Sequence, residues 1–166
     1  MKKEFHRERR ARSWIENYMC ECGKLSVNII CPVFIWILEL TEWCKDMPLE
    51  VIRREVEFFQ GHGIRMAMDD YGAGSASSGI VLHAPIDEIK LDMSFIRGIT
   101  EDVKKQAMVR SIVEFANRCG MSTCLEGVET EELQDYLRLY QATWFQGYFY
   151  SKPIEIGKLK EMVQNE

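Results

Sequence analysis

IRMAMDD (residues 64–70) is a short apolar run that ends in two aspartates, and the glycine- and serine-rich segment DYGAGSASS (70–78) overlaps its end. Five further apolar runs end in a polar or ionisable residue in the same way. An apolar strand that ends in such a residue places the polar side chain at the rim of a sheet, so the repetition predicts an α/β active-site face. The five runs are LSVN (25–28), FIWILELTE (34–42), EIKLD (88–92), STCLEG (122–127) and TWFQG (143–147).

Helical patterns separate most of these strands. The strongest predicted helix starts at Thr100–Asp102, where acidic residues suit a helix N-terminus, and ends at Gly120. Alternation of strands and helices predicts parallel strands joined by right-handed crossovers. Apolar residues recur at helical spacing in that helix, namely Met108, Ile112, Phe115, Ala116 and Cys119.

One crossover is anomalous. Asn28 and Glu39, which end successive predicted strands, are only eleven positions apart. Because parallel neighbours need roughly a dozen or more residues to cross over, either these two strands are not parallel neighbours or a helix has been lost between them.

The composition is that of a globular protein, with 166 residues, 46% hydrophobic content and a net charge of −5. The negative charge disfavours DNA binding. The basic start, MKKEFHRERRAR (1–12), is interpreted as a solvated helix face or frayed terminus rather than a membrane- or RNA-contacting arm. Six cysteines without zinc-site spacing indicate reduced thiols, and no apolar stretch is long enough to span a membrane. We therefore expect a cytoplasmic protein without a membrane segment.

The polar residues at the strand ends have a consistent chemistry. Carboxylates and amide oxygens dominate, and Lys90 is the lone cation. Hard oxygen ligands suit Mg²⁺ or Mn²⁺ rather than zinc, and clustered carboxylates repel unless a cation balances them. Two such ions can activate water and neutralise a phosphoryl transition state. These residues therefore predict metal-dependent phosphoester hydrolysis. They are Asn28, Glu39, Asp69, Asp70, Glu126 and Gln146.

Five strings resemble, in order, the signatures of EAL domains, which are bacterial cyclic-di-GMP phosphodiesterases built on a TIM barrel. LSVNI (25–29) is similar to the preceding strand of that family, so the resemblance covers about residues 12–160. It implies an incomplete TIM (β/α) barrel of about six strands in residues 25–166, preceded by a basic helix in residues 1–24. The strings are LELTE (38–42), MDDYGAGSASS (68–78), PIDEIKLDMSFI (85–96), EGVET (126–130) and FQGYFYSKP (145–153).

The resemblance also implies a role for each rim residue. Glu126 is expected to be the general base, Lys90 to orient the attacking water or phosphate, and Gln146 to assist at the metal-bound phosphate. Glu42 is expected to anchor the Gly/Ser-rich loop at 70–78, and Glu129 is expected to support the site. The implied ligands of Mg²⁺ or Mn²⁺ are Asn28, Glu39, Asp69 and Asp70, and the implied substrate is cyclic di-GMP.

The sequence also departs from the family pattern. The Glu-Ala-Leu motif, its accompanying arginine and the first strand–helix units are absent. Three alternatives stay open: an active phosphodiesterase, a degenerate domain that binds cyclic di-GMP or a protein partner, and a non-functional remnant. The missing segments favour low activity. Because both edges of a shortened sheet would be open, a homodimer or an upstream partner is a further expectation.

Overall fold

The computed structural model describes residues 37–41, 44, 47–72 and 77–154. Five parallel strands form one sheet in the order β1-β2-β3-β4-β5. The strands are β1 (Ile37–Leu40), β2 (Arg65–Tyr71), β3 (Glu88–Leu91), β4 (Ser122–Glu126) and β5 (Trp144–Gln146). The helices are α1 (Leu49–Gly61), α2 (Ser77–His83), α3 (Met93–Ile96), α4 (Val103–Arg118) and α5 (Glu131–Arg138).

Each described strand pairs with its neighbour in the chain, and a helix lies in every connection. The predicted α/β fold with an incomplete barrel of parallel strands is thereby confirmed. The predicted strand that begins at Leu25 lies outside the described residues, as do the basic helix predicted for residues 1–24 and the boundary after it. Within the described part, β1 and β5 each pair with a single strand.

Side chains alternate between the two faces of the sheet because successive strand residues point in opposite directions. On one face, apolar strand residues join a core with the helices, and this core includes Ile52, Val56 and Phe59 of α1. On the opposite face lie residues such as Glu39, Ala67 and Lys90. The strand residues of the core include Leu38, Met66, Met68, Ile89, Leu91 and Leu125.

Helix α4 begins after Asp102, whose side chain accepts hydrogen bonds from the backbone N–H groups of Lys104 and Lys105. The predicted start is thus close to the observed one. Of the apolar residues at helical spacing, Ile112 and Ala116 are buried and Phe115 is partly buried. Met108 and Cys119 are exposed. Val109 and Val113 face the core beside Ile112, which rotates the apolar stripe away from both residues.

Two short helices were not predicted. The segment 70–78 was interpreted wholly as a loop, but β2 continues to Tyr71 and α2 begins at Ser77. Serine, glycine and β-branched residues have modest helix propensity, so the sequence of α2 resembles a loop. Helix α3 has four residues and shows no helical periodicity. The last predicted strand, 144–149, ends at Gln146, because Tyr150 N–H bonds the carbonyl of Gly147 in a turn.

None of the helices in the described part of the chain combines the length and the apolar character that crossing a bilayer requires.

Candidate active site

The predicted site residues lie at the carboxyl ends of the five strands. Each strand contributes at least one of them, and parallel pairing brings these ends to the same edge of the sheet. The register places Glu126 beside Gln146, and Lys90 beside Cys124, two residues before Glu126. The described residues at this rim are Glu39, Asp69, Asp70, Lys90, Glu126 and Gln146.

Lys90 lies among three carboxylates. Its Nζ is 2.6 Å from Glu39 Oε1, 2.7 Å from Glu126 Oε1 and 3.3 Å from Asp69 Oδ1. The side chains of Lys90 and Glu39 are only 3% and 0% exposed. Burial on its own lowers the pKa of Lys90, but hydrogen bonds and charge interactions with Glu126 and Glu39 outweigh it, so the pKa is raised. Lys90 therefore remains an ammonium and holds the carboxylates around it.

A second set of contacts suits a metal ion. Carboxylate oxygens of Asp69, Asp70 and Glu126 lie within 4.8 Å of one another, and all three residues are partly buried. The pKa of Glu126 is raised, first by burial and then by the negative charges of Asp69 and Glu39, against the lowering effect of Lys90. The single positive charge of Lys90 therefore does not balance the negative charges of the carboxylates around it. This all-oxygen donor set fits Mg²⁺ or Mn²⁺.

A β-bulge brings the two aspartates to the same cluster. The register of β2 against β3 shifts between Met68 and Tyr71, and Asp70 has a left-handed backbone with φ of +49°. Adjacent residues of a regular strand point to opposite faces, whereas a bulge redirects a side chain. The sequence predicted that Asp69 and Asp70 act together, but the bulge that lets them do so was not predicted.

The other predicted site residues lie at the edge of the carboxylate cluster or outside the described residues. Gln146 is exposed at the end of β5, next to Glu126 in the register. Glu129 is exposed in the turn after β4, and its carboxylate is 3.9 Å from the Arg97 guanidinium. Asn28 and Glu42 lie outside the described residues, so their roles, like those of the other rim residues, stay predictions.

Sequence reasoning missed a polar cluster at the opposite end of the sheet. Arg65 Nη2 donates to Ser122 Oγ at 2.8 Å, and Ser122 Oγ donates to Glu88 Oε2 at 2.8 Å. These three residues begin β2, β4 and β3, and Glu88 is 2% exposed. A polar first residue in three successive strands was the available signal. The cluster ties the strands together at the end remote from the rim.

Gly147 follows β5 where the chain passes against Val128. A methyl group added at Gly147 would collide with the backbone of Val128, whose N–H bonds the Gln146 carbonyl. We expect Gly147→Ala to separate β5 from β4 and to lower the free energy of unfolding by about 1–3 kcal/mol, measured in urea.

Gly79 in α2 is the matched control for this substitution, because a methyl group there would meet nothing within 4 Å. Gly79→Ala should stabilise the chain by about 0.5–1 kcal/mol, since alanine favours a helix interior. Equal stability of the two variants would contradict the close approach at Gly147.

The model of the EAL domain family matches residues 11–153, which is most of the chain.

The chain belongs to the EAL domain family.

The resemblance predicted from the sequence motifs is confirmed. The chain is similar to the cyclic di-GMP phosphodiesterase PdeL of Escherichia coli, with 36% identity over 123 residues, 74% of this chain and 34% of that protein. The chain thus spans about a third of that relative.

Solved EAL domains share the fold. The EAL domain of Mycobacterium smegmatis DcpA has a TM-score of 0.72 and 27% identity, over 78% of this chain and 58% of that chain. A standalone EAL protein of Vibrio cholerae, solved with cyclic di-GMP bound, has a TM-score of 0.66 and 26% identity, over 70% of this chain and 49% of that chain.

Proposed function

We propose that this EAL domain chain binds cyclic di-GMP at its rim and, with Mg²⁺ or Mn²⁺, hydrolyses one phosphodiester bond to give the linear dinucleotide. The observation that carries the proposal is the group of carboxylate oxygens of Asp69, Asp70 and Glu126, within 4.8 Å of one another and beside the Lys90 ammonium. The activity of similar proteins such as PdeL supports the same substrate. A nucleotide substrate also suits the expected cytoplasmic location.

The proposed metal ligands are Asn28, Glu39, Asp69 and Asp70. A divalent ion held by these residues would lower the pKa of a water molecule and would balance charge on the phosphoryl group. Glu126 accepts the proton as the water oxygen attacks phosphorus. The ring phosphorus–oxygen bond breaks, the leaving oxygen takes up a proton from solvent water, and the linear dinucleotide leaves. A carboxylate with a raised pKa is a stronger base than an ordinary one, which suits Glu126 to this role.

Two neighbouring residues assist this step. Lys90 stays protonated, orients Glu126 through their 2.7 Å contact and presents positive charge to the phosphate. Gln146, in register with Glu126, donates an amide hydrogen bond to a phosphate oxygen. Glu42 is proposed to anchor the Gly/Ser-rich loop at 70–78, and Glu129 is proposed to support the site.

A second candidate is a module that binds cyclic di-GMP, or a protein partner, with little or no turnover. The eleven-residue spacing of Asn28 and Glu39 favours it, because a displaced Asn28 would weaken metal binding and misplace the attacking water. Each outer strand, β1 and β5, has a single neighbour in the described part of the sheet. These edges suit a homodimer or an upstream partner.

Hydrolysis and binding by the 166-residue chain test both candidates. We expect calorimetry to show saturable binding of cyclic di-GMP, and chromatography to show slow, Mn²⁺-dependent formation of the linear dinucleotide. Asp69→Ala should abolish both, whereas Asp135→Ala, at an exposed position of α5, should change neither. Binding without turnover would favour the second candidate, and absence of both would contradict the proposal.

A further inference from the structure

Helix α3 follows the strand of Lys90 and contacts the turn after the two aspartates. The Phe95 ring packs directly on Gly72, two residues after Asp70. A methyl group at Gly72 would lie 2.5 Å from Phe95 Cζ and 2.8 Å from Cε2. Gly72 has φ of +93°, a conformation that glycine adopts without strain, and this lets the backbone lie against the ring.

The same helix contacts the turn after Glu126. A methyl group at Gly127 would lie 2.6 Å from Met93 Cβ and 3.3 Å from its Cα, and Gly127 has φ of +80°. Met93 and Phe95 thus contact the chain just beyond the ends of β4 and β2. These are the two strands that carry the oxygens of the carboxylate cluster.

Helix α3 is itself held in place. Asp92 Oδ1 accepts a hydrogen bond from the backbone N–H of Ser94, and Lys105 Nζ donates to the carbonyls of Ser94 and Arg97 at 2.6 Å each. Ile96 is fully buried in the core. The helix is therefore fixed to α4 and to the core.

We propose that α3 is a positioning element that sets the distance between the Asp69–Asp70 pair and Glu126, with Phe95 as the positioning residue. A left-handed aspartate persists only where its surroundings hold it, and the ring on Gly72 supplies such support close to Asp70. The inference rests on the proposed function in one respect, which is that the cluster binds a divalent cation.

Two substitutions at Phe95, with side chains of similar volume, distinguish contact with Gly72 from simple filling of the buried site. Leucine and methionine both fill the buried part of the Phe95 site, but only methionine extends as far as the ring edge that contacts Gly72. Phe115→Leu in α4 is the matched control, because Phe115 is also partly buried against the core and belongs to a helix that does not follow a rim strand directly.

The experiment is a calorimetric titration of the full chain with Mn²⁺, alongside thermal unfolding of each variant. We expect Phe95→Leu to raise the Mn²⁺ dissociation constant about 10-fold, since residues that support metal ligands have effects of this size. Phe95→Met should restore most of the affinity. Phe115→Leu should lower the melting temperature comparably to Phe95→Leu and leave Mn²⁺ affinity unchanged.

Equal Mn²⁺ affinity in Phe95→Leu and the wild type would overturn the inference, as would equal weakening by Phe115→Leu. Failure of the wild type to bind Mn²⁺ would also overturn it. Cyclic-di-GMP hydrolysis is assayed separately, so loss of the positioning role can be distinguished from loss of turnover, and only a failure to bind Mn²⁺ would contradict both proposals. If the chain hydrolyses cyclic di-GMP but Phe95→Leu does not change Mn²⁺ affinity, the proposed function is supported and the positioning role is contradicted. If Phe95→Leu weakens Mn²⁺ binding but the chain does not hydrolyse cyclic di-GMP, the positioning role is supported and the hydrolytic function is contradicted.

Discussion

Replacement of Lys90 by methionine is expected to lower the free energy of unfolding by about 3–5 kcal/mol, because removal of one partner from a buried ion cluster leaves its charges uncompensated. The ammonium lies within 3.3 Å of Glu39, Asp69 and Glu126, and Glu39 is fully buried. Without it, these carboxylates face one another across the rim. Urea denaturation followed by circular dichroism at neutral pH measures the difference.

The exposed Lys104 of α4 provides the control. Lys104→Met should change the free energy of unfolding by less than about 0.5 kcal/mol. The pH dependence of the free energy of unfolding gives a second check. The pKa of Lys90 is raised in the fold, so the stabilisation that its charge provides is fully present below the ordinary lysine pKa of 10.5. This stabilisation is lost only as the pH rises above that value. Equal stability of Lys90→Met and Lys104→Met would show that the carboxylates do not depend on the ammonium.

Glu126→Gln is expected to reduce the rate of cyclic-di-GMP hydrolysis by about 10²–10⁴-fold, since it removes the proposed general base while preserving the shape of the side chain. The rate of the wild-type chain should increase with pH as Glu126 loses its proton. Chromatographic measurement of the linear product with Mn²⁺, across a pH series, tests both expectations.

Glu131→Gln is the matched control, because Glu131 is an exposed glutamate in the first turn of α5. It should keep the wild-type rate and the wild-type pH profile. A Glu126→Gln variant that hydrolyses cyclic di-GMP as fast as the wild type would exclude Glu126 as the base. Loss of rate with an unchanged pH profile in the residual activity would assign the titrating group to another residue.

Much of the rim could be predicted from local sequence. IRMAMDD, EIKLD and STCLEG each combine an apolar strand with a charged end, and parallel pairing makes such ends meet. The bulge at Asp70 could not be predicted, because it depends on how β2 pairs with β3 rather than on either strand alone. Helix α3 escaped prediction for a similar reason, since four residues carry no periodic signal.

Local sequence is enough to predict the alternation of strands and helices, the family and the kinds of side chain at the rim, because strand alternation and short motifs are local properties of the chain. The contact of Lys90 with Glu39, 51 residues away, and the position of α3 against both Gly72 and Gly127 are properties of the folded chain. Contacts between such distant residues depend on register, on the bulge and on packing, which form only when the whole sheet is assembled.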